Sequence, residues 1–288
     1  MWRIVLISLG VSEILGCEVS GVITAVGPSC QNGLCIGDIV MALLPGGGYA
    51  EYCTCDERTV CKVPEGVDLR TAAAIPEAFI TAYQLLFTVA QLQPGETVLM
   101  HAAASSIGQA AIQLATLNGI RVVATSRTDG KCATCIELGA SVAIKVGDDG
   151  RFLDQVLAAT NGVGVNAVLD PVCGSYFADN IAVTALDGRI VVYGLMGGGN
   201  VSDATFLNKL LAKRIRLLPT TLRTRSLDYK AAIIASLATN AVGFASVVKG
   251  DIKVDVFTTF PLEQVVDAHA LMTANGNTGK ILLVASND

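Results

Sequence analysis

The chain has 288 residues, 52% of them hydrophobic and 16% charged, which is enough for one large domain or two ordinary ones. Its formal net charge is −5 and it contains no basic block, which argues against nucleic acid or an anionic membrane as a main partner. The nine cysteines are an odd number without a convincing secretory signal, so we expect free thiols in the reducing cytoplasm.

The first part of the chain, from Ile14 to about Lys62, predicts a β-rich region. Turn-forming glycine, proline and aspartate residues separate its predicted strands, which lie at 19–26, 39–43 and 50–53. A helical pattern follows over residues 71–89, and Pro76 is expected to interrupt it.

From residue 97 onward, short apolar strands alternate with helical segments. The strands are predicted at 97–100, 121–125, 143–146, 167–169, 189–193 and 215–218. The helices are predicted at 108–118, 130–138, 151–160 and 176–185. This alternation indicates a doubly wound α/β arrangement, in which helices cover both faces of a parallel sheet.

The C-terminal part returns to a different pattern. The apolar run at 231–248 is interrupted by polar residues and glycine, and it predicts a buried helix followed by a turn rather than a membrane span. Residues 261–275 predict an amphipathic helix, and residues 279–284 predict a final strand.

The segment HAAASSIGQAAIQLA, residues 101–115, lies where a dinucleotide-binding fold has its glycine-rich loop, yet its single glycine is Gly108. Ser106 stands at the usual middle glycine, and the small residues Ala103 and Ser105 still allow a phosphate to approach the backbone. Alone, the pattern fits an ordinary strand–turn–helix equally well.

The next strand makes the cofactor interpretation more specific. Residues 121–125 are followed by Arg127 and Lys131, and Asp129 is the nearest acidic residue. Basic residues at this position suit a 2′-phosphate, whereas an acidic residue suits a free ribose hydroxyl. The pair therefore favours NADP over NAD, although both side chains could instead simply be solvated at the start of a helix.

Long motifs throughout the chain resemble the zinc-independent quinone oxidoreductases of the medium-chain dehydrogenase/reductase superfamily. The similarity begins at about Ile14, and the segments that carry it are ILGCEVSG, GDIVMALLPGGG, AAIPEA, LDGR, YGLMGGG and the final GK. MALLPGGG, AAIPEA and YGLMGGG are similar in particular to the tumour-suppressor-inducible subgroup.

The resemblance implies a Rossmann domain, whose doubly wound parallel sheet binds the cofactor, and a truncated GroES-like β-rich domain. The domains expected are a partial GroES-like domain at 1–80, a Rossmann domain at 81–222 and a returning segment at 223–288. Family members begin with further strands and a helix, which nothing before Ile14 matches. The resemblance also implies a homodimer whose sheets join edge to edge.

The resemblance also implies where the cofactor NADPH binds. The residues expected at the pyrophosphate are Ser105, Ser106 and Ile107. Those expected at the 2′-phosphate are Arg127 and Lys131. Those expected near the nicotinamide, or closing over the cofactor, are Thr81, Gly194, Leu195, Met196, Leu222, Arg223, Thr224 and Asn277. Met196 and Leu222 could equally be core residues.

The implied activity is hydride transfer from NADPH to a small-molecule quinone, with ortho-quinones favoured. The cofactor carries the chemistry and the protein contributes position and electrostatics, so the sequence leaves the catalytic side chains unassigned. The open alternatives are reduction of 2-alkenals or enones, with Tyr49 or Tyr83 as a proton donor, and NADPH binding with little turnover because family strands are missing.

Metal and redox roles are not expected. Cys17 stands where related alcohol dehydrogenases have a zinc-binding histidine, and we predict no metal there. Cys132 and Cys135 have redox spacing but fall in a predicted helix, so they are expected to be ordinary thiols. His101 is expected to form structural hydrogen bonds, and His269 to lie at the surface or to cap a helix.

Overall fold

A computed structural model of the chain describes residues 12–147, 149–201, 203–240 and 242–285. The chain forms two compact units. The discontinuous unit holds the described residues up to Ile80 together with those from Arg225 onward, and the central unit is Thr81–Thr224. The first eleven residues of the predicted 1–80 domain lie outside the described residues.

The discontinuous unit begins with a three-stranded antiparallel sheet. Its strands are β1 (Glu18–Val22), β2 (Ile39–Leu43) and β3 (Val60–Lys62). The first two confirm predicted strands, but the strand predicted at 50–53 is wrong, because these residues form bends and the third strand is β3. The preceding glycines turn the chain back, and the N–H groups of residues 47–49 bond to carbonyls of residues 14–16 instead of entering a ladder.

Two short helices connect this sheet to the central unit. They are α1 (Leu69–Ala73) and α2 (Pro76–Tyr83), and a turn of π-helix follows at Gln84–Val89. Asp68 caps α1 by accepting hydrogen bonds from two backbone N–H groups of its first turn. The predicted interruption at Pro76 is confirmed, because α2 begins at that residue.

The central unit contains a parallel sheet of six strands among the described residues. These are β4 (Thr97–Met100), β5 (Arg121–Ser126), β6 (Val142–Lys145), β7 (Val165–Asp170), β8 (Thr184–Val192) and β9 (Arg216–Pro219). Their order is β6-β5-β4-β7-β8-β9, so the direction of winding reverses between β4 and β7. The predicted doubly wound α/β class is confirmed, and so is each predicted strand of this sheet.

Helices connect these strands. They are α3 (Ser106–Leu117), α4 (Asp129–Glu137), α5 (Leu153–Ala159), α6 (Phe177–Val183) and α7 (Phe206–Lys213). One buried cluster joins strand residues such as Leu99, Val168 and Ile190 to Phe152 and Phe177. The first four helices confirm predicted ones, whereas α7 was not predicted, because it is short and leaves two apolar residues exposed.

The C-terminal part of the discontinuous unit contains three helices and a parallel pair of strands among the described residues. They are α8 (Leu227–Thr239), α9 (Phe244–Lys249), β10 (Val256–Pro261), α10 (Val265–Thr273) and β11 (Lys280–Val284). The last helix and strand confirm the predicted ones at 261–275 and 279–284, whereas β10 was not predicted.

The segment Leu227–Lys249, with a mean hydropathy of 1.8, is long and apolar enough to cross a membrane on these two criteria. A core helix passes the same test. The segment forms α8 and α9 rather than the single helix and turn predicted at 231–248, because the backbone leaves helical geometry at Asn240.

Candidate functional site

The carboxyl ends of β5, β4, β7 and β8 lie side by side at one edge of the central sheet. In an open parallel sheet, ligands bind outside this edge at the point where the strand order reverses, here between β4 and β7. The loops that follow these four strands contain most of the site residues predicted for the central unit.

The loop between β4 and α3 has small residues that let an anionic group approach the N-terminus of α3 closely. The Ser105 hydroxyl oxygen caps α3 by accepting a hydrogen bond from the Gly108 N–H at 3.2 Å. A Cβ at Gly108 would lie 2.4 Å from the Ala103 carbonyl oxygen, so only glycine fits there. Ser105 is exposed, and Ser106 and Ile107 are half-buried at the start of the helix, where the dipole favours an anion.

Two basic residues, Arg127 and Lys131, follow β5, the strand beside β4 in the sheet. Arg127 is exposed, and Thr128 caps α4 by accepting a hydrogen bond from the Lys131 N–H at 3.3 Å. Asp129 bonds to the ammonium group of Lys145 at 2.6 Å. The nearest acidic residue is therefore neutralised by a third cation.

Lys131 is partly buried beside the positive charge of Arg127. Partial burial lowers the pKa of its ammonium group, and the neighbouring positive charge of Arg127 lowers it further. A bound dianion would relieve that repulsion. The residues present after β5 thus fit a 2′-phosphate better than a ribose hydroxyl.

The segment after β8 lies against the loop after β7. The Met196 N–H donates to the Pro171 carbonyl at 3.0 Å, and a Cβ at Gly194 would lie 2.8 Å from the same oxygen. Leu195 and Met196 are 59% and 68% exposed, so the alternative that Met196 is a core residue is wrong. Two apolar side chains are thus presented at the ligand-binding edge.

The remaining predicted residues lie in three places. Thr81 is buried on α2, and Asn277 lies in the discontinuous unit, where its side-chain amide donates to the Gly279 carbonyl at 2.9 Å. Leu222 is half-buried after β9, whereas Arg223 and Thr224 are exposed. Their assignments as cofactor contacts stay predictions.

The segment after β9 is fastened to the π-helical turn. The Gln84 side-chain amide nitrogen bonds to the Thr220 hydroxyl at 3.2 Å and to the Thr221 carbonyl at 3.4 Å. The Gln84 amide oxygen is buried with no hydrogen-bond partner among the described residues. A residue that sequence reasoning did not select thus holds the start of the predicted closing segment.

A chain of buried polar residues at the same edge was also not predicted. It runs from Thr125 at the end of β5 through His101 and Asn180 to Asp170 at the end of β7. The expected structural role of His101 is confirmed by its two hydrogen bonds. Asp170 could have been selected from the sequence, because an acidic residue that ends an apolar strand of a parallel sheet lies at the ligand-binding edge.

The discontinuous unit has its own cluster of titratable groups. The Lys280 ammonium group lies 2.5 Å from a carboxylate oxygen of Glu18 and 3.7 Å from one of Glu77. Burial raises the pKa of Glu18, and the Glu77 charge raises it too, whereas Lys280 lowers it. Burial alone would lower the pKa of Lys280, but the two carboxylates outweigh burial and raise it.

Tyr49 and His269 form a second polar contact in this unit. The Tyr49 hydroxyl lies 3.1 Å from His269 Nε2, and burial raises the pKa of the phenol. His269 was expected at the surface or capping a helix; its ring is half-buried and contacts Tyr49.

No cluster of three or more histidine, cysteine, aspartate or glutamate side chains able to hold a metal ion occurs within the described ranges. All nine cysteines are free thiols, including the pair with redox spacing on α4.

Comparison with known proteins agrees with this architecture. The family described as zinc-binding dehydrogenase matches residues 106–238, and the alcohol dehydrogenase GroES-like domain matches residues 6–65. The expectation that nothing before Ile14 matches the family is therefore wrong, because the second match begins at residue 6. A GroES-like region joined to a doubly wound sheet defines a medium-chain dehydrogenase/reductase.

Individual relatives are more specific. Quinone oxidoreductase-like protein 2 of Rattus norvegicus is 33% identical over 270 residues, which are 93% of this chain and 75% of that protein. Mycobacterial Rv1454c, solved in complex with NADPH, is 31% identical with a TM-score of 0.83, covering 93% of this chain and 82% of that one. Quinone oxidoreductase from Pseudomonas syringae is 27% identical with a TM-score of 0.82, covering 94% and 81%. The chain belongs to the quinone oxidoreductase family.

Proposed function

We propose that the protein is an NADPH-dependent oxidoreductase that transfers a hydride to quinones. The observation that carries this proposal is the basic pair after β5. Partial burial lowers the pKa of Lys131 and the positive charge of Arg127 lowers it further, while the nearby Asp129 is paired with Lys145. This arrangement suits a 2′-phosphate, and the NADPH complex of mycobacterial Rv1454c supports the same cofactor.

The predicted site residues have separate tasks in this proposal. Ser105, Ser106 and Ile107 receive the pyrophosphate at the α3 N-terminus, and Arg127 and Lys131 hold the 2′-phosphate. Those assigned to the nicotinamide end of the cofactor are Thr81, Gly194, Leu195, Met196, Leu222, Arg223, Thr224 and Asn277. When bound, the dihydronicotinamide supplies the hydride, and the protein supplies position and electrostatics.

Quinones are the proposed substrate class because they fit a site without a dedicated acid. A quinone that accepts a hydride and a proton becomes a hydroquinone, and its oxygen can take the proton from solvent. The motifs MALLPGGG and YGLMGGG, similar to the tumour-suppressor-inducible subgroup, favour ortho-quinones within this class. The family relationship to quinone oxidoreductases supports the class itself.

Reduction of 2-alkenals is the second candidate, and the contact between Tyr49 and His269 favours it. Hydride addition to an enone needs a proton at the neighbouring carbon. The phenol of Tyr49 can donate one, and His269 at 3.1 Å can return it. Tyr83 is less suited, because its ring packs on Phe87 with centroids 4.9 Å apart.

We further propose a metal-free, cytoplasmic homodimer. The donor sets within the described ranges do not form a metal site, and free thiols suit a reducing compartment. Strand β9 ends the described part of the sheet and exposes Leu217, while α7 exposes Leu207 and Leu211. An edge strand beside apolar side chains suits pairing with a second copy.

Cofactor binding and turnover test the proposal together. Dissociation constants for NADPH and NADH are measured for the wild type, for R127A and K131A, and for R121A, whose arginine begins β5 at the opposite edge of the sheet. Each of the first two variants is expected to lose NADPH affinity by on the order of tenfold, because a charge-assisted hydrogen bond is removed, while NADH affinity stays within about twofold. R121A is expected to match the wild type for both cofactors.

The substrate assay follows the absorbance of NADPH with an ortho-quinone, a para-quinone and a 2-alkenal. Faster oxidation with the ortho-quinone is expected, whereas oxidation by the 2-alkenal alone, with loss of that activity in Y49F, would favour the second candidate. Equal loss of NADPH and NADH affinity in R127A and K131A would refute the 2′-phosphate assignment.

A further inference from the structure

Four polar residues form a continuous hydrogen-bonded chain beneath the ligand-binding edge of the central sheet. We call them the buried polar chain: Thr125, His101, Asn180 and Asp170. Thr125 is 2% exposed and the other three are fully buried. They come from the ends of β5, β4 and β7 and from α6. Buried polar groups at this density are costly unless every one is satisfied, so their partners matter.

Each link in the buried polar chain is short. His101 lies 2.8 Å from the Thr125 hydroxyl through Nδ1 and 2.7 Å from the Asn180 amide oxygen through Nε2. The Asn180 amide nitrogen donates to Asp170 Oδ2 at 2.7 Å. The other carboxylate oxygen of Asp170 accepts from the backbone N–H groups of Val172 and Cys173, at 2.7 Å and 2.8 Å.

The direction of every hydrogen bond follows from Asp170. Its carboxylate only accepts, so Asn180 must turn its amide nitrogen toward it and its oxygen toward His101. His101 must therefore carry a proton on Nε2, and in the neutral ring Nδ1 then accepts from the Thr125 hydroxyl. Burial lowers the pKa of His101, in keeping with a neutral ring. A single carboxylate thus fixes the tautomer of a histidine that it does not touch.

Packing holds the imidazole in this orientation. The Phe152 ring lies 4.6 Å from it, and the Tyr176 ring meets it edge-on at 4.9 Å, both measured between centroids. The ring is fully buried between them. Because the ring is held by this packing, a substitution that reverses the hydrogen bonds at Asp170 is expected to move the proton between the two ring nitrogens of His101 rather than to rotate the ring.

Asp170 also fixes a strained loop at the ligand-binding edge. Cys173, whose N–H it accepts, has φ 56° and ψ −145°, outside the regions that side chains usually adopt. Gly174 follows at φ 49°, and a Cβ there would lie 2.3 Å from the Gly197 carbonyl oxygen. The loop after β7 is therefore held directly against the segment after β8, which contains Gly194, Leu195 and Met196.

We propose that Asp170 and Asn180 are positioning residues for the cofactor. Asp170 fixes the loop after β7, on which residues 194–196 rest. Through Asn180 and His101, the same carboxylate links this loop to the end of β4, just before the pyrophosphate loop. The inference rests on the proposed NADPH site, but the hydrogen-bond order itself can be measured without any cofactor. Neither residue is proposed to touch the cofactor or the substrate.

The substitution D170N tests the order of hydrogen bonds. The oxygen of the introduced amide would keep the two backbone N–H groups of the loop, so its nitrogen would face Asn180, and Asn180 would have to turn over. His101 Nε2 would then face an amide nitrogen and must accept, which moves the proton to Nδ1. Nitrogen-15 spectra of histidine-labelled protein distinguish the two tautomers, and H269Q assigns the signals, because the chain has two histidines.

The double variant D170N/N180D is the matched rescue. It exchanges the two side chains, so the carboxylate now faces His101 and the amide holds the loop, and Nε2 again donates. The proposal expects the Nδ1–H form in D170N with NADPH affinity lower by on the order of tenfold, and return of Nε2–H with affinity within about threefold of wild type in the exchange variant. If D170N does not fold, N180A replaces it: this variant removes the link between Asp170 and His101 but leaves the two loop N–H groups on Asp170, so an NADPH affinity equal to wild type would overturn the positioning role.

T160V controls for loss of stability. Thr160 is buried, its hydroxyl bonds to the Val156 carbonyl at 2.8 Å, and it lies after α5, before the amino end of β7. T160V is expected to lower the unfolding temperature without changing NADPH affinity or the tautomer. An unchanged tautomer in D170N, or NADPH affinity equal to wild type, would overturn the positioning role. Failure of the wild type to bind NADPH would instead refute the proposed function, while the tautomer measurement would still test the buried polar chain.

Discussion

The substitution K280M removes the cation from the buried cluster of the discontinuous unit. The side chains of Lys280 and Glu18 are 14% and 15% exposed, so solvent screens their interaction only weakly. Glu18 also accepts the N–H of Glu77 at 2.9 Å, at the beginning of α2. Without Lys280, two carboxylates remain close together with no cation between them.

The expected cost is about 3–5 kcal/mol in the free energy of unfolding, because a buried charge is left unpaired. This corresponds to a fall in unfolding temperature on the order of 10 °C for a chain of this size. The double variant E18Q/K280M keeps an oxygen for the Glu77 N–H but carries no charge at position 18, so it should recover most of the loss. Calorimetry and urea unfolding measure both variants.

The pH dependence gives a second, independent check. Burial and Glu77 raise the pKa of Glu18 already in the wild type, and removing the lowering effect of Lys280 raises it further. A group whose folded pKa is raised stabilises the protein below its unfolded value of 4.5 and loses that contribution as the pH rises through the folded value. K280M should therefore be closer to wild type in stability at pH 5 than at pH 8. A deficit that is equal at both pH values, or that persists in E18Q/K280M, would refute this reasoning.

Two further predictions concern the central unit. G108A is expected to lose about 1–3 kcal/mol of stability and most NADPH affinity, because its Cβ would lie 2.4 Å from the Ala103 carbonyl oxygen. The control G130A, on α4, places its Cβ in open space and should be neutral or stabilising. Thermal unfolding and NADPH titration measure both variants, and a G108A variant that behaves like G130A would contradict the close contact. L207E/L211E should convert a homodimer to monomers in analytical ultracentrifugation. The control V163E, at a side chain that is 73% exposed, should leave the dimer intact. An intact dimer in L207E/L211E would exclude α7 from the interface.

The doubly wound sheet could be predicted from the sequence because its strands are buried on both faces. Segments such as 98–100 and 122–124 are continuous apolar runs between helical patterns, and this signal can be read without any tertiary information. The strand predicted at 50–53 is wrong, and the residues just before it, 47–49, bond to a segment more than 30 residues away, a contact that the local sequence does not reveal. Helix α7 was missed because it is short and two of its leucines, Leu207 and Leu211, are exposed to solvent, which weakens its amphipathic pattern.

Site residues followed the same division. Arg127 and Lys131 could be selected because their role depends on the end of one strand, which the sequence predicts well. The ion pair between Asp129 and Lys145 could not be predicted from the sequence, because the two side chains meet only when β5 pairs with β6. The buried polar chain needed the strand order itself, since Asp170 and His101 are 69 positions apart and become neighbours only when β7 lies beside β4.

The discontinuity of one unit constrains the order in which the chain can fold during synthesis. All of Thr81–Thr224 leaves the ribosome before Arg225, so the central unit has its complete sequence while the other unit lacks its second half. During synthesis, Glu18 therefore has no ion-pair partner in Lys280 until 262 further residues have been added. A nascent chain halted before residue 280 would have a finished parallel sheet and an acidic cluster without its cation. The ion pair between Glu18 and Lys280 can therefore form only after the whole of the central unit has been synthesised.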